Sequence, residues 1–423
     1  MRLDIASIEI SDIRFGNRTA VDQGTLFINQ DELTGLLAQD KRFAAVELCL
    51  ARPGESARII GVFDVIEPRA KLGGGSNFPG IVDGLNRAGS GTTRALKGAS
   101  VVLLDQLIKS TDGLGTVIDM KGEGAELGLY GRNCHLVIDA RPAPGTSRYD
   151  YLAGLRQAGL KAAVYLAQPD RELAGARVQT YELPCPDLTA KPDALRIGYL
   201  FQIFSQQYDT APGEAVLYGG STVGMLPTII HPNEILDGAL VKGYAETGFD
   251  TYTIQNHPVI IDLYKRSSPD LVFAGMVIAN SSVNETERAR NALLTAGLFS
   301  SALSVHGVVM TKIFGGASNI DLAATADRLE EMGIKSVPII QVVAWESNLG
   351  DVLLFNTPSL DAVVCSGWIH QPTALSAVEK VMGGRAEGPL AEAKARGEIR
   401  IERRYVRGAI NNLGASGAGI AQY

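Results

Sequence analysis

Cysteine is scarce in this 423-residue chain: Cys49, Cys134, Cys185 and Cys365 lie far apart, with no metal-type pair among them. That excludes a disulfide framework and a cysteine-rich zinc site, and it suits a reducing cytoplasm. Runs of Lys or Arg are missing and the formal charge is −7, which argues against nucleic acid and anionic membrane as partners. Long apolar runs are missing too. Leu271–Ala279 falls well short of the roughly 20 residues that a membrane-crossing helix needs. The start, Met1-Arg2-Leu3-Asp4, is charged and lacks an apolar core, so no secretory signal is expected. No Gly-x-Gly-x-x-Gly follows a strand and opens a helix, and no Walker-type Gly-Lys-Ser/Thr occurs. A nucleotide-dependent enzyme therefore ranks last among the functional readings.

What is present is an ordinary globular balance, 46% hydrophobic and 20% charged, in a chain long enough for two domains. Residues 1 to about 140 carry short β-like runs between glycine turns: Ile5–Ile10, Thr25–Ile28, Ala44–Leu50, Arg58–Val65, Ser100–Leu104 and Leu136–Ile138. They predict a mixed, largely antiparallel β region. Gly73-Gly74-Gly75 reads as a loop, because Ser76-Asn77-Phe78-Pro79-Gly80 after it offers no helix for a phosphate cradle. A connecting zone follows, with a predicted helix over Tyr149–Ala158, a stop at Gly159 and a strand over Lys161–Leu166.

From about residue 191 strands and helices alternate. Strands are expected at Arg196–Phe201, Ala215–Tyr218, Thr228–Ile230, Leu271–Ala279, Ala302–Val309, Val337–Val343 and Ala362–Val364. Helices are expected at Asn284–Ala296 and Asp321–Met332, ending at Gly297 and Gly333. Such alternation implies a parallel, Rossmann-like α/β sheet. The expected organisation is a β-rich domain with a connecting α/β segment over 1–190, then an α/β domain over 191–423.

Open parallel sheets bind ligands beyond the carboxyl ends of their strands. That rule selects Ser221 and Thr222, His231 with Asn233, Asn280 and Ser281, Lys312, Glu346, and Cys365 with Ser366. Any strand-to-loop junction is also rich in small polar residues, so no single residue is decisive. His231 follows an apolar strand and precedes Pro232, which holds it extended before a helix beginning near Asn233; the bland alternative is a turn histidine bonded to backbone. His257 has the same setting and reads as structural, and His306 reads as a core residue inside a strand. Lys312 and Glu346 could form an acid–base pair or hold a substrate carboxylate, though structural ion pairs are commoner. Cys365 is the better candidate for a reactive thiol, with a buried, inert side chain as the alternative.

Residues 226–245 read Leu-Pro-Thr-Ile-Ile-His-Pro-Asn-Glu-Ile-Leu-Asp-Gly-Ala-Leu-Val-Lys-Gly-Tyr-Ala. This run resembles the self-cleavage segment in the alpha/beta precursor of glycine/sarcosine/betaine reductase component B. Further matches in order include Leu50-Ala51-Arg52-Pro53-Gly54-Glu55-Ser56, Asp64-Val65-Ile66-Glu67-Pro68-Arg69, Asn77-Phe78-Pro79-Gly80 and Pro258-Val259-Ile260-Ile261-Asp262-Leu263-Tyr264. In that family an Asp-Gly-Ala-(Ile/Leu)-Val block precedes Gly-Asn-Cys, and the Cys becomes a pyruvoyl group that captures the substrate amine. Here Asp237-Gly238-Ala239-Leu240-Val241 is kept, but Tyr244 replaces the Asn and Ala245 the Cys. Self-cleavage needs a thiol for the N-to-S acyl shift, so no pyruvoyl cofactor is expected. Asn133-Cys134, the only Asn-Cys pair, lies about a hundred residues away and reads as a strand start.

The resemblance implies a partner subunit with a reactive selenol or thiol, and a hetero-oligomer acting on a small amine or amide. The net reaction would be C–N cleavage or acyl or thiol transfer. A non-catalytic scaffold or substrate-binding subunit of the same complex is the alternative.

Overall fold

A computed structural model describes residues 1–107, 116–168, 175–183, 191–208, 211–213, 215–242, 249–282, 284–313, 317–342, 357–384 and 392–415. It is a mixed α/β structure built from several sheets.

Strand Ala57–Ile66 is buried at all ten positions, which is why its sequence reads as an apolar run rather than an alternating one. It lies antiparallel to both Thr116–Asp119 and Ala99–Leu104. Ala99–Leu104 runs parallel to Cys134–Pro142, which is in turn antiparallel to Phe43–Ala51. Lys380–Met382, from far along the chain, joins in parallel beside the start of Ala57–Ile66. A second sheet sets Arg177–Glu182, Arg2–Glu9, Gly91–Lys97 and Arg69–Gly73 side by side, parallel only between its two central strands.

Helix Arg148–Ala167 covers the first sheet and corrects the sequence reading. Gly159 does not stop it, and Lys161–Leu166 is helical rather than a strand. Ser147 caps the start by accepting from the Asp150 amide at 3.1 Å. Gly159 is there for contact: a Cβ at that position would stand 2.6 Å from Leu103 Cδ1 and 2.8 Å from Ile66 Cδ1.

The second large sheet is ordered Thr228–Ile230, Leu271–Ser281, Leu195–Phe204, Gly307–Lys312, Lys335–Val342, Val364–Trp368. The last five are parallel, and Thr228–Ile230 is an antiparallel edge. Among the parallel strands the second in sequence lies beside the first and the rest follow outward, a doubly wound order. Helices Glu285–Gly297 and Ala317–Glu331 pack against each other beside it. Gly297, expected as a stop, keeps right-handed helical angles, and the chain runs on through a π-turn, Leu298–Leu303, to Ser304 at φ 50°. His306 is exposed just before its strand, with Nδ1 accepting from the Arg196 amide at 3.0 Å; it is not a core residue, because the strand starts one position later.

No helix among the described residues is long and apolar enough to cross a membrane.

Candidate functional site

The run that opens the family-like block is a short helix, Pro232–Leu236. His231 caps it: Nδ1 accepts from the Asn233 amide at 3.2 Å, while Glu234 Oε1 accepts from the His231 amide at 3.1 Å. Burial, with the positive amino terminus and Arg87 adding to it, pushes the His231 pKa down to about 4, so the ring is neutral at physiological pH. Its Nε2 has no hydrogen-bond partner among the described residues. Asn233 is wholly buried; it donates to Tyr181 O at 3.1 Å and accepts from Tyr264 Oη at 2.6 Å.

The helix delivers Asp237 into a knot of donors. Lys71 Nζ reaches it at 2.5 Å, Thr93 Oγ1 at 2.6 Å and the Gly89 amide at 2.7 Å. A small cleft opens here between Lys71, Asn77, Phe78, Thr93, Asp237 and Gln255. Gly238 follows at φ 85°, where a Cβ would stand 2.9 Å from the Phe78 ring, so the turn needs glycine for both conformation and space. Beneath, Arg69 binds Glu67 at 2.5 Å and the Leu236 carbonyl at 2.7 Å, tying the helix to the first half of the chain.

Strand Leu240–Val241 then leads to Lys242, which is 1% exposed. Its Nζ donates to Phe63 O at 2.7 Å and lies 3.7 Å from Asp250 Oδ1. Asp250 also takes Tyr130 Oη at 2.6 Å and Arg407 Nε at 2.8 Å. Asp64, one strand position from Phe63, accepts from the Thr251 amide at 3.0 Å and its hydroxyl at 2.6 Å. Burial is the largest influence throughout: it pushes the Lys242 pKa down to about 8 and the Asp64 carboxyl up. Two buried cations, Lys242 and Arg407, and two buried carboxylates, Asp64 and Asp250, thus lie close together here. A lysine poised near 8 can give or accept a proton there. A second small cleft adjoins Asp250 and Arg407.

The large sheet brings several predicted residues together. Lys312 ends its strand opposite Gln202, Asn280 lies one residue beyond that level on the next strand, and Cys365 pairs with Ile340 near the same edge. Lys312 is fully buried, and burial pushes its pKa down to about 7. Ser281 hydrogen-bonds Asp321, and Ser366 Oγ donates to Ile340 O at 3.2 Å. Thr222 joins this edge through a 2.6 Å contact with Ser205 Oγ, whereas Ser221 is exposed on a small hairpin. His231 and Asn233 lie elsewhere. Their strand runs antiparallel, with Ile230 opposite Met276, so its carboxyl end points to the other edge. Glu346, Tyr244 and Ala245 lie outside the described residues.

Sequence reasoning did not name Asp64, Lys71, Thr93, Asp250 or Arg407 as site residues. Asp64 had one available signal, a carboxylate inside a mostly apolar strand. Arg407 had none, being 157 residues from Asp250. Among the described residues no group of three His, Cys, Asp or Glu side chains is placed to hold a metal.

The family model for glycine/sarcosine/betaine reductase component B subunits matches residues 1–418. The glycine reductase complex component B subunits alpha and beta of Acetoanaerobium sticklandii are 32% identical, over 98% of both chains. The sarcosine reductase complex component B subunit alpha of Peptoclostridium acidaminophilum is 33% identical over 90% of this chain and 89% of that one. The betaine reductase complex component B subunit alpha of the same organism is 31% identical over 90% and 88%. No solved structure matches. With that coverage, and with the Asp-Gly-Ala-Leu-Val block anchored at both ends, the chain belongs to the glycine/sarcosine/betaine reductase component B subunit family.

Proposed function

We propose that this chain is a non-self-processing paralogue of the component B alpha/beta polypeptide. It acts with a thiol- or selenol-bearing, gamma-type subunit in C–N cleavage or acyl or thiol transfer on a small amine or amide. One observation carries the reading: Ala245 offers a methyl group where self-cleavage needs sulfur, in a chain matched to the family almost end to end.

A pyruvoyl group does not fit this chain. Its formation begins with a side-chain nucleophile attacking the preceding carbonyl, and neither Ala245 nor Tyr244 supplies a thiol. Cys134, the thiol of the only Asn-Cys pair, is buried in a strand with its pKa pushed up to about 11, mainly by burial. No step is therefore routed through a protein-bound carbonyl. Substrate is held non-covalently, by hydrogen bonds and charge, and the attacking sulfur or selenium comes from the partner.

Co-expression with the thiol- or selenol-bearing subunit tests this. A stable complex is expected whose turnover is abolished, without dissociation, when the partner's reactive residue is replaced. Full turnover by this chain alone would refute the proposal. A complex that never binds substrate would mark the chain as a scaffold.

A further inference from the structure

Residues 77–89 form a loop held from both ends. The Asn77 amide and side-chain nitrogen both donate to Asp83 Oδ2 at 2.8 Å, and the Ile81 and Val82 amides donate to Phe78 O. At the far end the Ala88 amide donates to Tyr218 Oη at 3.2 Å and the Gly89 amide to Asp237 Oδ2 at 2.7 Å. Gly80 presses on the neighbouring hairpin, where an added Cβ would collide with Tyr218 O. A loop tied this closely has little backbone freedom left to lose when a partner binds. Its tip nevertheless carries Leu85, 73% exposed, the highest value among the large apolar side chains described.

The segment before His231 adds to this face. Leu226 is 49% and Ile229 42% exposed. The chain then turns into Glu234, which Tyr218 hydrogen-bonds and which lies 3.7 Å from Arg87. Loop and segment therefore meet at Glu234, and the Arg87 side chain, two residues from Leu85, is 70% exposed. The edge strand Thr228–Ile230 is bracketed by Pro227 and Pro232. Neither has an N–H to offer an added strand, so the face suits side-chain docking rather than sheet extension.

Asn77 and Phe78, at the base of the same loop, line the cleft at Asp237, so a protein seated on the tip stands beside that site. The carboxylates packed around Arg87 are already engaged. Glu234 takes Tyr218 and the His231 amide, Asp237 takes Lys71, Thr93 and Gly89, and Asp83 takes Asn77. A second copy of this chain would bring Arg87 no free acid from this face, whereas a different protein with an exposed carboxylate would.

We infer that this face docks the thiol- or selenol-bearing subunit, which offers an apolar pocket to Leu85, Leu226 and Ile229 and a carboxylate to Arg87. An aliphatic anchor filling a pocket, with an arginine beside it, is the kind of contact that carries binding energy. The inference rests on the reading of the chain as one subunit of a hetero-complex, and it names the face that the partner contacts.

Co-expression of the full chain with that subunit, followed by titration of the purified pair, tests it. Leu85→Asp and Arg87→Glu are each expected to weaken the complex by about tenfold or more, the scale of a hot-spot loss. Leu293→Asp, a change at a residue 55% exposed on the helix Glu285–Gly297, should leave it at wild-type strength. The melting temperature of the isolated Leu85→Asp chain should not move, because Leu85 gives up little burial. Wild-type binding by both Leu85→Asp and Arg87→Glu would overturn the docking face and leave the hetero-complex standing. Absence of any complex would overturn both. A self-associated form of the chain alone that Leu85→Asp dissolves would assign the face to a second copy and overturn the inference as well.

Discussion

Asp250 Oδ1 accepts a 2.8 Å hydrogen bond from Arg407 Nε, joining a residue a little beyond the family-like block to one 157 residues further along the chain. Both side chains are about 3% exposed. Breaking a buried pair by removing one partner leaves an uncompensated charge, which costs about 3–5 kcal/mol. Arg407→Leu should therefore lower the melting temperature sharply, because Asp250 would lose its closest cation and keep the more distant Lys242. A melting temperature within a degree of wild type would show that the pair contributes nothing.

Gly159 gives a test of packing against propensity. Alanine is better than glycine in a helix interior by about 1 kcal/mol, so helix preference alone would make Gly159→Ala stabilising. The added methyl meets Leu103 and Ile66 at under 3 Å, and overpacking of that kind costs about 1–3 kcal/mol. A net loss of stability is expected in thermal or urea unfolding. A gain would mean that the sheet yields at this point.

Acid should destabilise the fold. Burial holds His135 at about 4 and His257 at about 3, against an ordinary value of 6.5. His135 Nε2 donates to the Tyr130 carbonyl at 2.9 Å and Nδ1 meets Ser100 Oγ at 2.8 Å, and burial disfavours the second proton that would charge the ring. Below pH 6.5 the unfolded chain binds protons that the folded chain refuses until about pH 4 or 3. Stability is thus complete above 6.5 and falls as pH drops through that window. The loss is about 1.4 kcal/mol per pH unit for each histidine. Melting temperatures at pH 7.5 and 5 should differ by several degrees, and His135→Gln should narrow the gap. A flat profile would contradict the assignment.

Much of the fold was legible because periodicity reports burial. Strand Thr228–Ile230 came out at its true limits, and most others within a few residues. Two of the failures came from glycine, and a third is the strand read over Ala302–Val309, which begins only at Gly307. Gly159 and Gly297 read as terminators, yet each is helical, the first because two side chains press on it and the second because the helix continues as a π-turn. The strand-end rule found Lys312, Asn280 and Cys365 on one edge, but it could not see that the strand before His231 runs backwards. Strand direction is set by pairing, which local sequence does not carry. The ion clusters around Asp237 and Asp250 were hidden for the same reason: their partners Lys71 and Arg407 lie 166 and 157 residues away.

Lys242 and Asp250, described residues before and after 243–248, sit in buried ion pairs, so if the proposed loss of processing lies in residues 244 and 245 alone, replacing them should allow cleavage. The double variant Tyr244→Asn, Ala245→Cys is expected to yield two fragments on denaturing gels, at least in part. A fully intact double variant would mean that the block has lost more than its nucleophile.

The central claim is that the native chain is never cut, and denaturing mass spectrometry of the purified protein tests it most directly. The account requires one species at the full 44.9 kDa, unchanged by borohydride. Two fragments, or a borohydride-reducible carbonyl at a new amino terminus, would contradict it.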